Sequence, residues 1–209
     1  MVAMLQLTTV VSTLVIFILS AILAAHLLGR YRRRAGKSYL FWSAGVWVFA
    51  VSAFLETLFA LNVYNALLMD TYLFLVVLLV ELLGLGSVQL VESLSAKRAY
   101  YAFFAITLVA TLYSVYSSKP VDLVTDYVVA LPPPLLVTVT STIGTTIAAA
   151  AILIIAVMGY RKTKNKKLLS IITGVVVVSI AGFLYIAAFP ALLYYAEFVG
   201  VLLLWFGFF

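Results

Sequence analysis

The chain contains no cysteine and one histidine, His26. Disulfides, thiolate metal sites, iron–sulfur clusters and cysteine nucleophiles are therefore excluded, as are a bis-His haem and a His-rich metal centre. Charge is also scarce. Charged residues make up 10% of the 209, whereas a soluble domain carries roughly 25%. A surface facing water needs those charges, so most of this surface must face lipid. The three aspartates, Asp70, Asp122 and Asp126, lie outside the membrane core, which leaves no paired acidic motif for Mg²⁺-dependent group transfer inside a membrane. No lysine lies within an apolar run, where a retinal Schiff base would need one. With no usual nucleophile–base pair either, the residues offer no catalytic site, no metal site and no cofactor ligand.

What the chain has in abundance is apolar length. Hydrophobic residues are 66% of the total, and mean hydropathy is +1.23. A helix crossing the hydrocarbon core needs about 20 apolar residues, and seven stretches qualify: Leu5–Leu28, Tyr39–Leu61, Ala66–Leu94, Ala99–Tyr116, Leu135–Met158, Leu168–Phe189 and Ala191–Phe209. The first is not a signal peptide, because it is long and ends in arginines rather than a small-residue cleavage site. The expected fold is an all-α integral membrane bundle of seven transmembrane helices, forming one domain over residues 1–209.

Orientation follows from the distribution of charge. Twelve of the thirteen basic residues lie in three alternate connections: Arg30, Arg32, Arg33, Arg34 and Lys37; Lys97 and Arg98; Arg161, Lys162, Lys164, Lys166 and Lys167. The positive-inside rule places these in the cytoplasm, so the N-terminus is outside and the C-terminus inside, in a multi-pass cell-membrane protein. The net charge of +6 therefore belongs to membrane topology and gives no support to a nucleic-acid partner. These clusters, Arg30–Lys37 and Arg161–Lys162 above all, are topogenic anchors, or contacts for anionic lipid or a partner protein. Tyrosines and tryptophans at both ends of the spans, including Tyr72 outside and Tyr100 inside, read as interfacial belts. The longest external loop, Ser117–Leu131, ends in Pro132-Pro133-Pro134. Prolines suit a first helical turn, so helix 5 starts there, and 121–130 is expected to lie along the outer interface.

Helices 1–3 (residues 5–94) and 5–7 (residues 135–209) share a layout: helix, basic connection after Gly29 or Gly159, helix, short outer turn, helix. Ala53-Phe54-Leu55 can be set against Gly182-Phe183-Leu184, and Glu81-Leu82-Leu83-Gly84 against Glu197-Phe198-Val199-Gly200. Two parallel three-helix repeats require an inverting linker, here helix 4 (99–116).

Acids inside a bilayer cost roughly 2.5–3.5 kcal/mol or more at the helix centre, so each needs a reason. Glu81 lies ~24 Å along helix 3 from Lys97 and Glu197 ~18 Å from the end of helix 7, at ~1.5 Å per residue. At comparable depth they form a candidate proton or ion site, with Thr142 and Thr145 of helix 5 as hydroxyl partners. The plainer alternative is that each acid hydrogen-bonds separately between helices while the hydroxyls bond their own backbone. Glu56, Glu92 and His26 read as interfacial polar residues.

The segment Leu28-Gly29-Arg30-Tyr31-Arg32-Arg33-Arg34, with Tyr39-Leu40-Phe41-Trp42 and Glu56, resembles the opening of seven-helix membrane regions in some bacterial sensor histidine kinases. With Leu83-Gly84-Leu85-Gly86-Ser87 it is also similar to uncharacterised seven-helix prokaryotic proteins. That resemblance implies a sensor module. The residues themselves leave two further functions: a non-catalytic accessory subunit of a larger membrane complex, which is the leading expectation, and a small proton- or ion-coupled carrier. The expected partners are membrane lipids and either other membrane subunits or a second copy of the chain.

Overall fold

The computed structural model describes residues 2–118, 123–125, 127–129, 132–186 and 190–208. Among these residues the chain forms seven helices and one short hairpin: α1 Val2–Arg34, α2 Lys37–Ala60, α3 Ala66–Val88, α4 Leu94–Ser117, β1 Val124–Thr125, β2 Val128–Val129, α5 Leu135–Thr163, α6 Lys166–Ile186 and α7 Pro190–Phe208. Five of the helices, α1 to α5, are long and apolar enough to cross a membrane.

Local chemistry sets the boundaries. The arginines expected in a loop after Leu28 instead form the last turn of α1. Arginine is a good helix former, and positive charge at a helix C-terminus is favoured by the helix dipole. Helix 3 ends at Val88, six residues before the expected limit, and α4 begins at Leu94 rather than Ala99. Ser93 caps it by accepting a hydrogen bond from the Ala96 N–H at 3.3 Å, one of the donors a helix start leaves unpaired. Helix 5 starts directly after Pro132–Pro134, with Pro134 at its N-cap, as three consecutive missing donors dictate. It closes on Lys164 in the left-handed conformation at φ 56°.

Packing follows a closed circuit. Helix α1 lies on α2, α2 on α3, α3 on α5, α5 on α6 and α6 on α7, and α7 returns to α1. Helix α4 lies against α3 and α5. Hydrogen bonds tie the circuit across its seams: Ser43 Oγ donates to the Ala24 carbonyl at 2.8 Å, Ser170 Oγ to Leu203 at 2.6 Å and Trp205 Nε1 to Leu19 at 3.1 Å. Such bonds contribute about 0.6 kcal/mol each in membrane bundles. Gly45 of α2 meets the Leu79 carbonyl of α3, and Gly174 of α6 meets the Gly200 carbonyl of α7. The two glycines are related by the same sequence offset that sets Ala53-Phe54-Leu55 against Gly182-Phe183-Leu184.

Part of the interior is polar while aliphatic side chains lie on the surface. On α1 the buried stripe holds Thr9, Thr13, Ile16 and Ser20, while Leu7, Val11, Leu14, Ile18 and Ile22 are exposed. Small and hydroxyl-bearing residues inside with aliphatic residues outside is the arrangement compatible with a bundle surrounded by lipid.

Where it is described, the connection between α4 and α5 folds back on the bundle. Val124 pairs with Val129 and Thr125 with Val128, antiparallel, around Tyr127 at φ 68°. Leu123, Val124 and Val129 are buried with Leu55, Phe59, Met69 and Tyr72, so the hairpin caps one end of the bundle. Apolar side chains at that end gain more from each other than from headgroups and water. Lys119, Asp122 and Asp126, which carried the charge contrast of that loop, lie outside the described residues.

Candidate functional site

The basic connections all lie at one end of the bundle, below called the basic end. There the helices enclose a cavity of about 510 Å³, within the size range of small-molecule sites. Trp42 of α2, Leu83 and Ser87 of α3, Ile155 of α5, and Leu204 and Phe208 of α7 supply its walls, with Glu92 and Lys162 also lining it. Trp42 Nε1 donates to Ser87 Oγ at 3.3 Å, and the Trp42 ring stacks at a tilt on Phe208, centroids 4.9 Å apart. Gly86 makes room for that indole, since a Cβ there would meet Trp42 Cδ1 at 2.3 Å. Arg30 donates to the Phe208 carbonyl and ties the ends of α1 and α7. Arg32, Arg33, Arg34, Lys37 and Arg161 are exposed at this end, and Lys162 is the member of the basic set that reaches the cavity.

Toward the opposite end lie two buried acids on the facing sides of α2 and α7. Glu56 is 3% exposed and Glu197 8%, and Glu197 lies in the electrostatic field of Glu56. Tyr72 of α3 donates its hydroxyl to Glu56 Oε1 at 2.6 Å, while Oε2 of both acids lacks a hydrogen-bond partner. One turn along each helix, Ala53 and Val201 pack with Ile16 of α1, forming an apolar layer. The hairpin cluster around Phe59 covers the other side.

This placement corrects the sequence reading of Glu56, which is covered rather than solvated at an interface. Depth along α2 was legible; the hairpin and Tyr72 that enclose the acid were not. One signal was available, because Glu56 and Tyr72 are equally far from Tyr64 in the α2–α3 turn, and antiparallel helices bring such positions level. Tyr72 and Tyr100 are likewise buried and not belt residues.

The expected partnership of Glu81 with Glu197 is not what the fold assembles. Glu81 is 1% exposed and faces α4 and α5. Its Oε1 lies over Gly144, where a Cβ would approach it to 2.6 Å, and Thr107 of α4 is a hydroxyl neighbour whose Oγ1 donates to the Phe103 carbonyl at 3.0 Å. Gly84, one turn away, admits the Tyr100 ring of α4 and the Ala148 methyl of α5. Of the expected hydroxyl partners, Thr142 is exposed on the outer face, and Thr145 donates to its own backbone at Ser141, 2.7 Å away. A helix turns about 100° per residue, so Thr142 and Thr145 could not share the face of Gly144. The hydroxyls that do line this seam, Thr107, Thr111 and Ser114, come from α4.

No protein-family model matches the chain, and neither a curated protein nor a solved structure is significantly similar to it.

Proposed function

We propose that the chain is a small proton- or ion-coupled carrier, oriented with its basic end in the cytoplasm and its seven helices crossing the membrane. One observation carries this reading. A ligand-sized cavity opens at the basic end, two buried acids lie beyond an apolar layer, and a hairpin covers the far side. Those are the parts of an alternating-access path caught open to one side. Glu56 and Glu197 replace the expected pair as the coupling acids, since two neighbouring carboxyls can exchange a proton or hold a cation between them. The circuit in which α3 meets α5 and α7 meets α1 is the one two parallel three-helix repeats would make, and it supports rocking of one half against the other.

The absence of native cysteine makes the test direct. A cysteine at Ser87 is expected to react with a membrane-impermeant thiol reagent from the basic side. An imposed proton gradient should shift that reactivity toward the other side, and the shift should vanish in Glu56→Gln and Glu197→Gln, which keep shape but cannot titrate. Reactivity indifferent to the gradient would overturn the carrier. The same assay fixes topology: a cysteine at Arg33 should resist reagent added outside intact cells, whereas one at Ser118 should react.

The accessory-subunit reading rests on composition: nearly every residue lies in an apolar helix, and none makes a catalytic pair. It expects mild-detergent extracts to carry the chain into a large complex on a native gel. Migration as a monomer or small homo-oligomer favours the carrier. A sensor module, which the resemblance of helices 1–3 implies, would share the gel behaviour of the carrier and differ in showing no gradient-driven change at Ser87.

A further inference from the structure

The seam between α3, α4 and α5 holds polar groups that the cavity and the Glu56–Glu197 pair do not use. Glu81 and Leu83 are two residues apart and so point about 160° away from each other around α3; Leu83 lines the cavity, and Glu81 faces the seam. Four buried atoms here lack any hydrogen-bond partner: Glu81 Oε1 and Oε2, Tyr100 Oη and Thr111 Oγ1. Glu81 and Thr111 are each 1% exposed, and Tyr100 is 8% exposed. A polar group orphaned in an apolar interior is costly, so a seam that keeps four such atoms needs something to complete their bonding.

Their arrangement says what completes it. Along α4 and its C-cap, Thr107, Thr111, Ser114 and Ser118 recur every three or four residues and therefore share one face. At rest the Thr107, Ser114 and Ser118 hydroxyls donate to the carbonyls of Phe103, Thr111 and Ser114, so a relay along this face requires each of them to turn from its carbonyl to its neighbour. Ser114 Oγ lies 2.9 Å from Thr140 Oγ1 of α5. Ser118 and the half-buried Asp70 border a pocket of about 10 Å³ at the end opposite the basic loops, room for about one water. From Ser118 to Thr107 the rise is ~16 Å, which brings the hydroxyl face to the level of Thr107, the α4 hydroxyl beside Glu81. The titratable side chain lying in the field of Glu81 is Tyr100, from α4; α5 presents Gly144 to the acid.

We infer that Glu81 is a proton-binding site, served from the end opposite the basic loops by proton transfer along the hydroxyl face of α4. A proton enters from solvent at the Asp70–Ser118 pocket. Each hydroxyl, bridged by water where the gap is long, accepts one proton on a lone pair and releases its own to the next. The net change is one proton moved from water to a Glu81 oxygen, with only O–H bonds made and broken. A metal cation fits poorly, because one carboxylate and two or three hydroxyls fall short of the six to eight oxygens that a hard cation such as Ca²⁺ takes. The site stands independently of the carrier proposal.

The test uses the full chain in lipid nanodiscs and infrared difference spectroscopy in acidic buffer. A neutral carboxyl band that disappears in Glu81→Gln belongs to Glu81; Glu81→Asp, which shifts the band, assigns it should the glutamine variant fail to fold. On transfer to D₂O the band should exchange promptly in the native chain. Thr111→Val should slow exchange by on the order of 100-fold, the usual contribution of a positioned proton-transfer group, and Thr111→Ser should restore it. Equal exchange rates in Thr111→Val and the native chain, the absence of any Glu81 band, or a band displaced by added sodium would each overturn the inference.

Discussion

Phe59→Ala should destabilise the protein by about 3 kcal/mol or more, the usual cost of truncating a buried phenylalanine. Phe59 is 1% exposed and packs edge-on against Tyr72 with ring centroids 5.6 Å apart. Leu55, Met69, Leu123, Val124 and Val129 complete the shell around it. Because the hairpin touches the bundle through this cluster, the loss should fall on the cap as well as on global stability. A cysteine at Val129, buried at 1% exposure in the native chain, should become reactive from that end in the Phe59→Ala background. If thermal unfolding in nanodiscs is unchanged and Val129 stays protected, then Phe59 does not hold the hairpin in place.

Gly84→Ala tests the seam on the other side of α3. A Cβ at position 84 would lie 1.9 Å from Tyr100 Oη and 2.8 Å from Cζ, so the ring must leave its place. Tyr100 packs with Leu85, Val88 and Ala148 and with Phe103, centroids 5.5 Å apart, and these neighbours leave it little room to move. Overpacking of this kind costs roughly 1–3 kcal/mol. Tyr100→Leu removes the obstructing ring and should recover part of that loss, giving a coupling energy in the double-mutant cycle of about 0.5–3 kcal/mol. Additive losses in the cycle would show that the two positions do not meet. Gly86 is a contrast, because the atoms crowding it belong to Trp42 and its substitution should disturb the cavity wall instead.

What the sequence determined by itself is local or depends on the bilayer as a whole. Long apolar runs separated by charged connections led to seven helices among the described residues, five of them long and apolar enough to cross a membrane, since a helix satisfies its own backbone hydrogen bonds. The prolines at 132–134 set the start of α5 for the same local reason. The charge clusters collected at one end because alternate connections of an up-and-down bundle must do so. The buried state of Glu81 and Glu197 followed from their depth in long apolar runs.

Which side chains would meet was decided only in the tertiary structure. A helix turns about 100° per residue, so two acids at equal depth can face different seams, and depth along a chain carries no information about azimuth. Glu197 therefore found Glu56 on the facing side of α2, while Glu81 turned toward Thr107 and Gly144. Gly84 admitted Tyr100 from α4 because the turn through Ser93 set the register between α3 and α4. The hairpin buried Leu123 and Val129 because Phe59, Met69 and Tyr72 leave an apolar recess at the end of α2 and α3, a shape that exists only once those helices have packed.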